Sequence, residues 1–160
     1  VGAFQNAAHN LRESGMWDVV MERVAEGVPL LGICVGMQLL ADVGLEDGEW
    51  EGLGLVPGRC ERLPAGVKLP HIGWNTVAQP KASPLFAGIP ENTAFYFVHS
   101  YRLVPKHSSC IIGSAEYGVP FAAAVQSRNV FAVQFHPEKS SKMGLKMLAN
   151  FATVVREQTT

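Results

Sequence analysis

Val28-Pro29-Leu30-Leu31-Gly32-Ile33-Cys34-Val35-Gly36-Met37-Gln38 passes from one periodicity to another. From Val28 to Cys34 it is a short, almost unbroken apolar run, the pattern of a strand covered on both faces. Gly36 to Val43 then takes up a helical period, with Met37, Leu40 and Ala41 on one side and Gly44 as the stop. Strand, tight turn and helix in succession predict an α/β domain. At the junction stands Gly32-Ile33-Cys34-Val35-Gly36, a glycine-x-nucleophile-x-glycine segment. Such an elbow holds its nucleophile on a strained backbone, and small flanking residues let strand and helix approach closely. The helix start places free N–H groups and a positive dipole end beside the sulfur, favouring thiolate. The N–H of Val35 points toward a developing oxyanion. A small buried cysteine at a glycine-tolerant strand end is the plainer reading; the position between strand and helix weighs against it.

Upstream, Gln5 to Ser14 predicts a short helix with Ala7, Ala8 and Leu11 inward, and Asp18 is placed to cap a second helix carrying Val19, Val20, Val24 and Ala25. Downstream the chain turns β-rich. Strands are expected at Leu53–Val56, Cys60–Leu63, Thr76–Ala78, Ala94–Val98, Tyr101–Val104, Ile111–Glu116, Ala122–Gln126 and Val130–Phe135, with a hairpin turn at Ser127-Arg128-Asn129. Lys142 to Val155 closes as an amphipathic helix with Leu145, Leu148, Ala149, Phe151, Ala152 and Val155 inward. Neither a repeat nor a linker interrupts the pattern, so a single domain over 1–160 is expected.

The second chemical signal is Gln134-Phe135-His136-Pro137-Glu138. A thiol nucleophile needs a base to take its proton and return it to a departing amine, and histidine suits that task near neutral pH. Side chains two apart on an extended strand share a side, so Glu138 can reach the His136 ring and fix its tautomer. Alone the segment is also compatible with a strand-end histidine and a solvated glutamate; the elbow at Cys34 tips the balance. The remaining histidines and cysteines read more plainly: His9 and His107 as surface groups, His71 as a turn histidine or a functional one, Cys60 and Cys110 as buried strand thiols.

Composition narrows the function classes. A net charge of −1, with 48% apolar and 17% charged residues, describes a globular protein without a basic footprint for nucleic acid. No apolar run approaches a membrane span and no signal peptide is evident. Three cysteines without CxxC spacing fit neither a disulfide frame nor a zinc site, so a reducing cytoplasm is expected. No metal or cofactor is expected either, for want of ligand spacing or a glycine-rich phosphate loop.

The segments Gly32 to Gln38 and Gln134 to Ser140 resemble the class I (triad) glutamine amidotransferases. Pro70-His71-Ile72-Gly73-Trp74-Asn75 and Phe95-Tyr96-Phe97-Val98-His99-Ser100-Tyr101 are similar, within that family, to the glutaminase subunits that serve histidine biosynthesis. The likeness runs along the whole chain. It implies an open mixed, largely parallel, flavodoxin-like sheet flanked by helices. It implies catalysis by Cys34, His136 and Glu138 through a glutamyl thioester, releasing ammonia and then glutamate. Gly2, Val35, Gln38, His99, Ser100 and Tyr101 are the implied glutamine and oxyanion contacts, Gly2 as the end of the family's Pro-Gly-Val-Gly loop. Pro70, Trp74 and Asn75 are the implied partner-facing residues, in a segment that reads as too polar and turn-like for a central strand. The implied partner is a separate (β/α)8-barrel cyclase subunit, joined as a heterodimer and supplied with ammonia. The resemblance further implies strand-helix units ahead of Val1, so the strand at Leu30 is expected at an unpaired sheet edge beside exposed apolar surface.

Three other readings stay open on sequence. One is the glutaminase of anthranilate or aminodeoxychorismate synthase, against which the Pro70 and Phe97 segments speak. Another is a thiol hydrolase of the α/β-hydrolase type, in which the acid precedes the histidine by a longer stretch. The third is a regulatory scaffold without activity, opposed by the intact Cys34, His136 and Glu138.

Overall fold

The computed structural model describes residues 3–158, so the Gly2 expectation lies outside the described residues. Two helices lead, α1 (Ala3–Glu13) and α2 (Met16–Ala25). Strand β1 (Leu30–Ile33) follows and passes through Cys34 into the single turn of α3 (Val35–Gln38). The β-rich middle comprises β2 (Val43–Gly44), β3 (Trp50–Glu51), β4 (Gly58–Arg62), β5 (His71–Val77), β6 (Thr93–His99), β7 (Tyr101–Pro105), β8 (Ile111–Glu116), β9 (Pro120–Ser127) and β10 (Val130–Val133). A 3-10 turn, Pro137–Lys139, leads into the closing helix α4 (Ser141–Gln158).

The central sheet has the order β1-β10-β9-β8. β1 lies parallel to β10, Leu30 opposite Val130 and Ile33 opposite Val133, while β10–β9 and β9–β8 are antiparallel. The class is α/β with a mixed sheet, as expected, but the parallel share is smaller than "largely parallel": among the described strands it is confined to β1–β10 and β2–β4. The physical reason is short connections. The β9–β10 turn falls at Arg128-Asn129, inside the expected Ser127–Asn129 segment, and a turn that tight can join only antiparallel strands. Asn129 also fixes the sheet edge, its amide donating to Val24 O (3.0 Å) and Val28 O (2.8 Å) and so tying the end of α2 to the β10 side.

Both faces of the central sheet are buried, which is why its strands read as continuous apolar runs. On β10, Phe131 and Val133 enter a cluster with Phe95, Phe97, Phe135 and Met147, under β6 and α4. Val130 and Ala132 enter the opposite cluster with Phe4, Met37, Leu40 and Leu103, under α1, α3, β4 and β7. This is the period-2 alternation of a strand serving two cores.

Several local expectations are corrected. Gly15, with φ 77°, occupies the N-cap of α2, and Asp18 lies within the first turn; the left-handed turn that redirects the chain from α1 needs glycine there. The helix after the elbow stops at Gln38 instead of reaching Val43, and Leu53–Val56 is not a strand. The two departures have one cause. Leu53 N, Val56 N and Gly54 N donate to the carbonyls of Leu39 (2.8 Å), Leu40 (3.0 Å) and Ala41 (3.0 Å), so the incoming segment takes the acceptors the helix would have used. The Pro70–Asn75 segment is largely strand, β5, paired along its length with β6 in a two-stranded ladder. Cys110 is half-buried at the end of a 3-10 turn, its thiol donating to His107 O, not a buried strand thiol; Cys60 is buried in β4. On α4 the buried positions are Gly144, Met147 and Val154, whereas Leu145 is 63% exposed and Ala149 and Ala152 face out.

Candidate active site

Cys34 sits where β1 ends, with φ 56° and ψ −111°. A non-glycine residue in that region carries strain of roughly 1–3 kcal/mol and persists only where its surroundings over-determine it. They do so here. Cys34 N donates to Val133 O at 2.9 Å, continuing the β1–β10 ladder, while Cys34 O accepts from Met37 N (3.0 Å) and starts α3. Gly32 allows the close approach: a Cβ there would stand 2.8 Å from Gly36 O. Gly36 has open space where a Cβ would be, so of the two flanking glycines only Gly32 is sterically required.

His136 lies beyond the carboxyl end of β10, the strand next to β1. Neighbouring strands run about 4.8 Å apart, so parallel pairing delivers thiol and imidazole to the same end of the sheet. Its backbone is clamped: His136 N donates to Tyr96 O (3.0 Å), and the Ser140 hydroxyl donates to His136 O (2.6 Å) while accepting from Tyr96 N (2.9 Å). Phe135, fully buried and stacked on Phe95 at 4.2 Å, anchors the preceding position. Glu138 approaches the ring, with His136 Nδ1 3.0 Å from Glu138 Oε2. The expected geometry for this contact is corrected: Glu138 arrives through the Pro137–Lys139 turn, not along an extended strand. A carboxylate only accepts, so Nδ1 carries the proton and Nε2 is left as the base.

The thiol's hydrogen bonds are to Val98 O (3.9 Å) and from Gln134 Nε2 (3.7 Å). Burial raises its pKa above the ordinary value, and Glu138 adds to that; the Val35 N–H, Lys139 and Gln134 pull the other way. Val35 opens α3, so the helix dipole behind it belongs to a single turn.

A cleft of about 240 Å³ opens on Cys34, lined by Val35, Gln38, Val98, His99, Ser100 and Tyr101, with Glu46 and Pro70 at its walls. That is below the ~300–1,000 Å³ of sites for drug-sized ligands, and suits a small molecule. The cleft brings together every sequence-expected substrate residue that is described. Gln38 is buried, its Nε2 donating to Tyr101 O (3.1 Å) and Gln134 Oε1 (3.2 Å). His99 is buried and its Nδ1 lies 2.9 Å from Tyr101 O; burial lowers its pKa to about 4, so it is a neutral donor there.

Behind the cleft, His71 Nδ1 lies 2.9 Å from His99 Nε2. Because the Tyr101 carbonyl fixes the His99 proton on Nδ1, His99 Nε2 is an acceptor and His71 Nδ1 is the donor. His71 stacks between Tyr117 (4.1 Å) and Phe97 (5.0 Å), a buried β-strand histidine rather than a turn residue. Of the residues expected to face a partner, Trp74 is 55% exposed, beside Ile72 at 60%. Asn75 turns its amide inward to Glu116 O (2.9 Å), and Pro70 lines the cleft. Sequence reading gave no role to Gln134, Ser140 or Glu46. Gln134 could have been found as a polar residue directly after a fully apolar strand, conspicuous once both faces are known to be buried.

The elbow at Cys34 opens on the cleft, and the imidazole of His136, held by Glu138, lies beyond the end of the adjacent strand. A family model, glutamine amidotransferase class-I, matches residues 8–155, and the chain belongs to that family. It is 52% identical to imidazole glycerol phosphate synthase subunit HisH of Moorella thermoacetica, over 98% of this chain and 74% of that one. The HisH of Desulfitobacterium hafniense strain Y51 is 51% identical over the whole chain and 76% of its own length. Among solved structures, a glutamine amidotransferase from Thermotoga maritima superposes with a TM-score of 0.65 at 17% identity, covering 99% of this chain and 61% of that one. PurLQS from the same organism gives 0.68 at 18% identity, over 88% and 68%. At such identities these structures bear on the fold alone.

Proposed function

We propose that this chain is the glutaminase subunit of imidazole glycerol phosphate synthase, with Cys34, His136 and Glu138 as its triad. The observation that carries the mechanism is the parallel pairing of β1 and β10, which brings the chain leading to Cys34 and the chain leading to His136 to the same end of the sheet, with the imidazole held by Glu138. His136 Nε2 takes the Cys34 proton, and the sulfur attacks the side-chain carboxamide carbon of glutamine. The N–H of Val35 meets the oxyanion, and Gly2 is its second donor by family likeness. The proton passes from His136 to the departing nitrogen, releasing ammonia, and water activated by the same imidazole cleaves the thioester to glutamate. Gln38, His99, Ser100 and Tyr101 shape the glutamine cleft, and the Glu46 carboxylate at its wall suits the substrate ammonium.

The ammonia passes to a HisF-type (β/α)8-barrel cyclase, bound as a heterodimer in the cytoplasm, where it completes an imidazole ring. The exposed Trp74 and Ile72 are the partner-facing anchors. Among the described residues no helix is long and apolar enough to cross a membrane. The test is glutamine hydrolysis with and without an added cyclase barrel, together with labelling by a glutamine-mimicking alkylator. Stoichiometric label on Cys34, and loss of turnover in Cys34→Ala and His136→Ala, are expected. Label on Cys60 or Cys110 with Cys34 untouched, or wild-type kinetics in His136→Ala, would sink the assignment.

A further inference from the structure

We propose that Gln134 is a catalytic hydrogen-bond donor to the Cys34 sulfur, locked in that orientation by a one-way chain of amides that begins at the Tyr101 carbonyl. The inference rests on the reading of Cys34 as nucleophile. A main-chain carbonyl only accepts, so Tyr101 O fixes which end of the Gln38 amide it meets: Nε2, at 3.1 Å. The second hydrogen of that nitrogen goes to Gln134 Oε1 at 3.2 Å. A Gln134 turned over would set nitrogen against nitrogen. Its Nε2 therefore faces Cys34, 3.7 Å from Sγ. Gln134 is wholly inaccessible and Gln38 nearly so, which leaves water little room to replace any link. The carbonyl at the root is itself held by a second donor, His99 Nδ1, at 2.9 Å.

The chemical consequence is a bias between the two states of the sulfur. As a thiol it donates to Val98 O. Once deprotonated it loses that contact, while the hydrogen bond from Gln134 becomes charge-assisted and strengthens. The chain cannot invert to offer an acceptor, so it favours thiolate at every step at which the sulfur is free. This offsets the burial that otherwise holds the proton on the thiol. Gln38 is on this account a positioning residue for Gln134 as well as a wall of the cleft.

The test is the pH dependence of Cys34 alkylation by iodoacetamide in the intact chain, read on the Cys34 peptide by mass spectrometry, with a melting curve for each variant. Gln134→Met keeps length and removes the donor. The alkylation midpoint should rise by about one pH unit, with a rate roughly tenfold lower near neutrality. Gln38→Met, which leaves Gln134 in place without its orienter, should shift the midpoint the same way by less. Gln134→Glu should also raise it, by facing sulfur with a carboxylate. A wild-type midpoint in folded Gln134→Met overturns the proposal and leaves Cys34 as nucleophile. If Gln134→Met does not fold, Gln38→Met decides alone, and an unmoved midpoint there overturns it. Wild-type protein whose Cys34 resists alkylation at every pH would overturn the nucleophile reading and this inference together.

Discussion

Burial acts on Cys34 and His99 in the same physical sense, disfavouring the charged form of each, and so moves their pKa values in opposite directions: the thiol up, the imidazole down to about 4. For His99 the linkage can be worked through. In the unfolded chain its imidazole takes a proton below about 6.5, while in the folded chain it stays neutral until about 4. Between those values the unfolded state binds more protons, so stability contributed by neutral His99 is present above 6.5 and is lost as pH falls toward 4. The loss is on the order of 3 kcal/mol at most. His71, lowered by burial as well, adds in the same direction. His99→Asn keeps a donor near Tyr101 O but does not titrate, so its melting temperature should fall less steeply than wild type from pH 6.5 to 4. Parallel curves would place the acid sensitivity elsewhere. At the proposed triad, Glu138→Gln should retain residual turnover, down by about 10²- to 10⁴-fold, while His136→Ala should lose more, because an orienting carboxylate acts through the base. Equal rates for Glu138→Gln and wild type in steady-state kinetics would remove Glu138 from the triad.

Whole elements were legible in the sequence where one strong local pattern had no tertiary competitor. β8 has the expected bounds, Ile111–Glu116, and β6, β7 and β9 fall within two residues of theirs. The elbow was legible because its chemistry is local: strand, strained residue, helical turn. The length of α3 was not, since what ends it is the arrival of Leu53–Val56 from fifteen residues away. The inward face of α4 was misjudged for a related reason. Apolar periodicity favoured Leu145, but the face that meets the sheet is set by where the helix must approach the Pro137–Lys139 turn, and that contact is made by Gly144. A Cβ at Gly144 would fall 2.0 Å from Pro137 O. Gly144→Ala should therefore shift the turn that carries His136 and Glu138. Glutamine turnover should drop by an order of magnitude or more while the circular dichroism spectrum stays α/β, and the melting temperature should fall by several degrees for a cost of about 1–3 kcal/mol. Undiminished turnover would mean that α4 can retreat without disturbing the site.

At the scale of the molecule, the β5–β6 ladder connects an outer surface to the cleft. β6 carries Val98, whose carbonyl meets the thiol, and His99, which holds Tyr101 O. β5 carries His71, which pairs with His99, and on its other face Trp74 and Ile72. Alternation along β5 thus puts residues one and three apart to opposite uses, one side bonded into the site and the other open. Reading the segment as turn-like missed this, because its polarity is that of a two-sided strand whose inward polar groups are all partnered. Trp74 is more than half exposed, and among the described residues its one ring neighbour is Tyr96, edge-on at 6.0 Å. A residue so exposed contributes little to the isolated fold, whereas an aromatic anchor at a protein interface commonly costs 2 kcal/mol or more when truncated. Trp74→Ala should accordingly weaken binding to the proposed cyclase barrel at least about tenfold by calorimetry, with the melting temperature of the free chain within a degree or two of wild type. Ile72→Asp should weaken binding further by placing an unpaired charge in the same patch. His71→Phe keeps the stacking but removes the donor to His99, and is the control: partner affinity preserved, glutamine turnover reduced. Affinity unchanged in Trp74→Ala with a large fall in melting temperature would make this tryptophan part of the fold and move the docking face elsewhere.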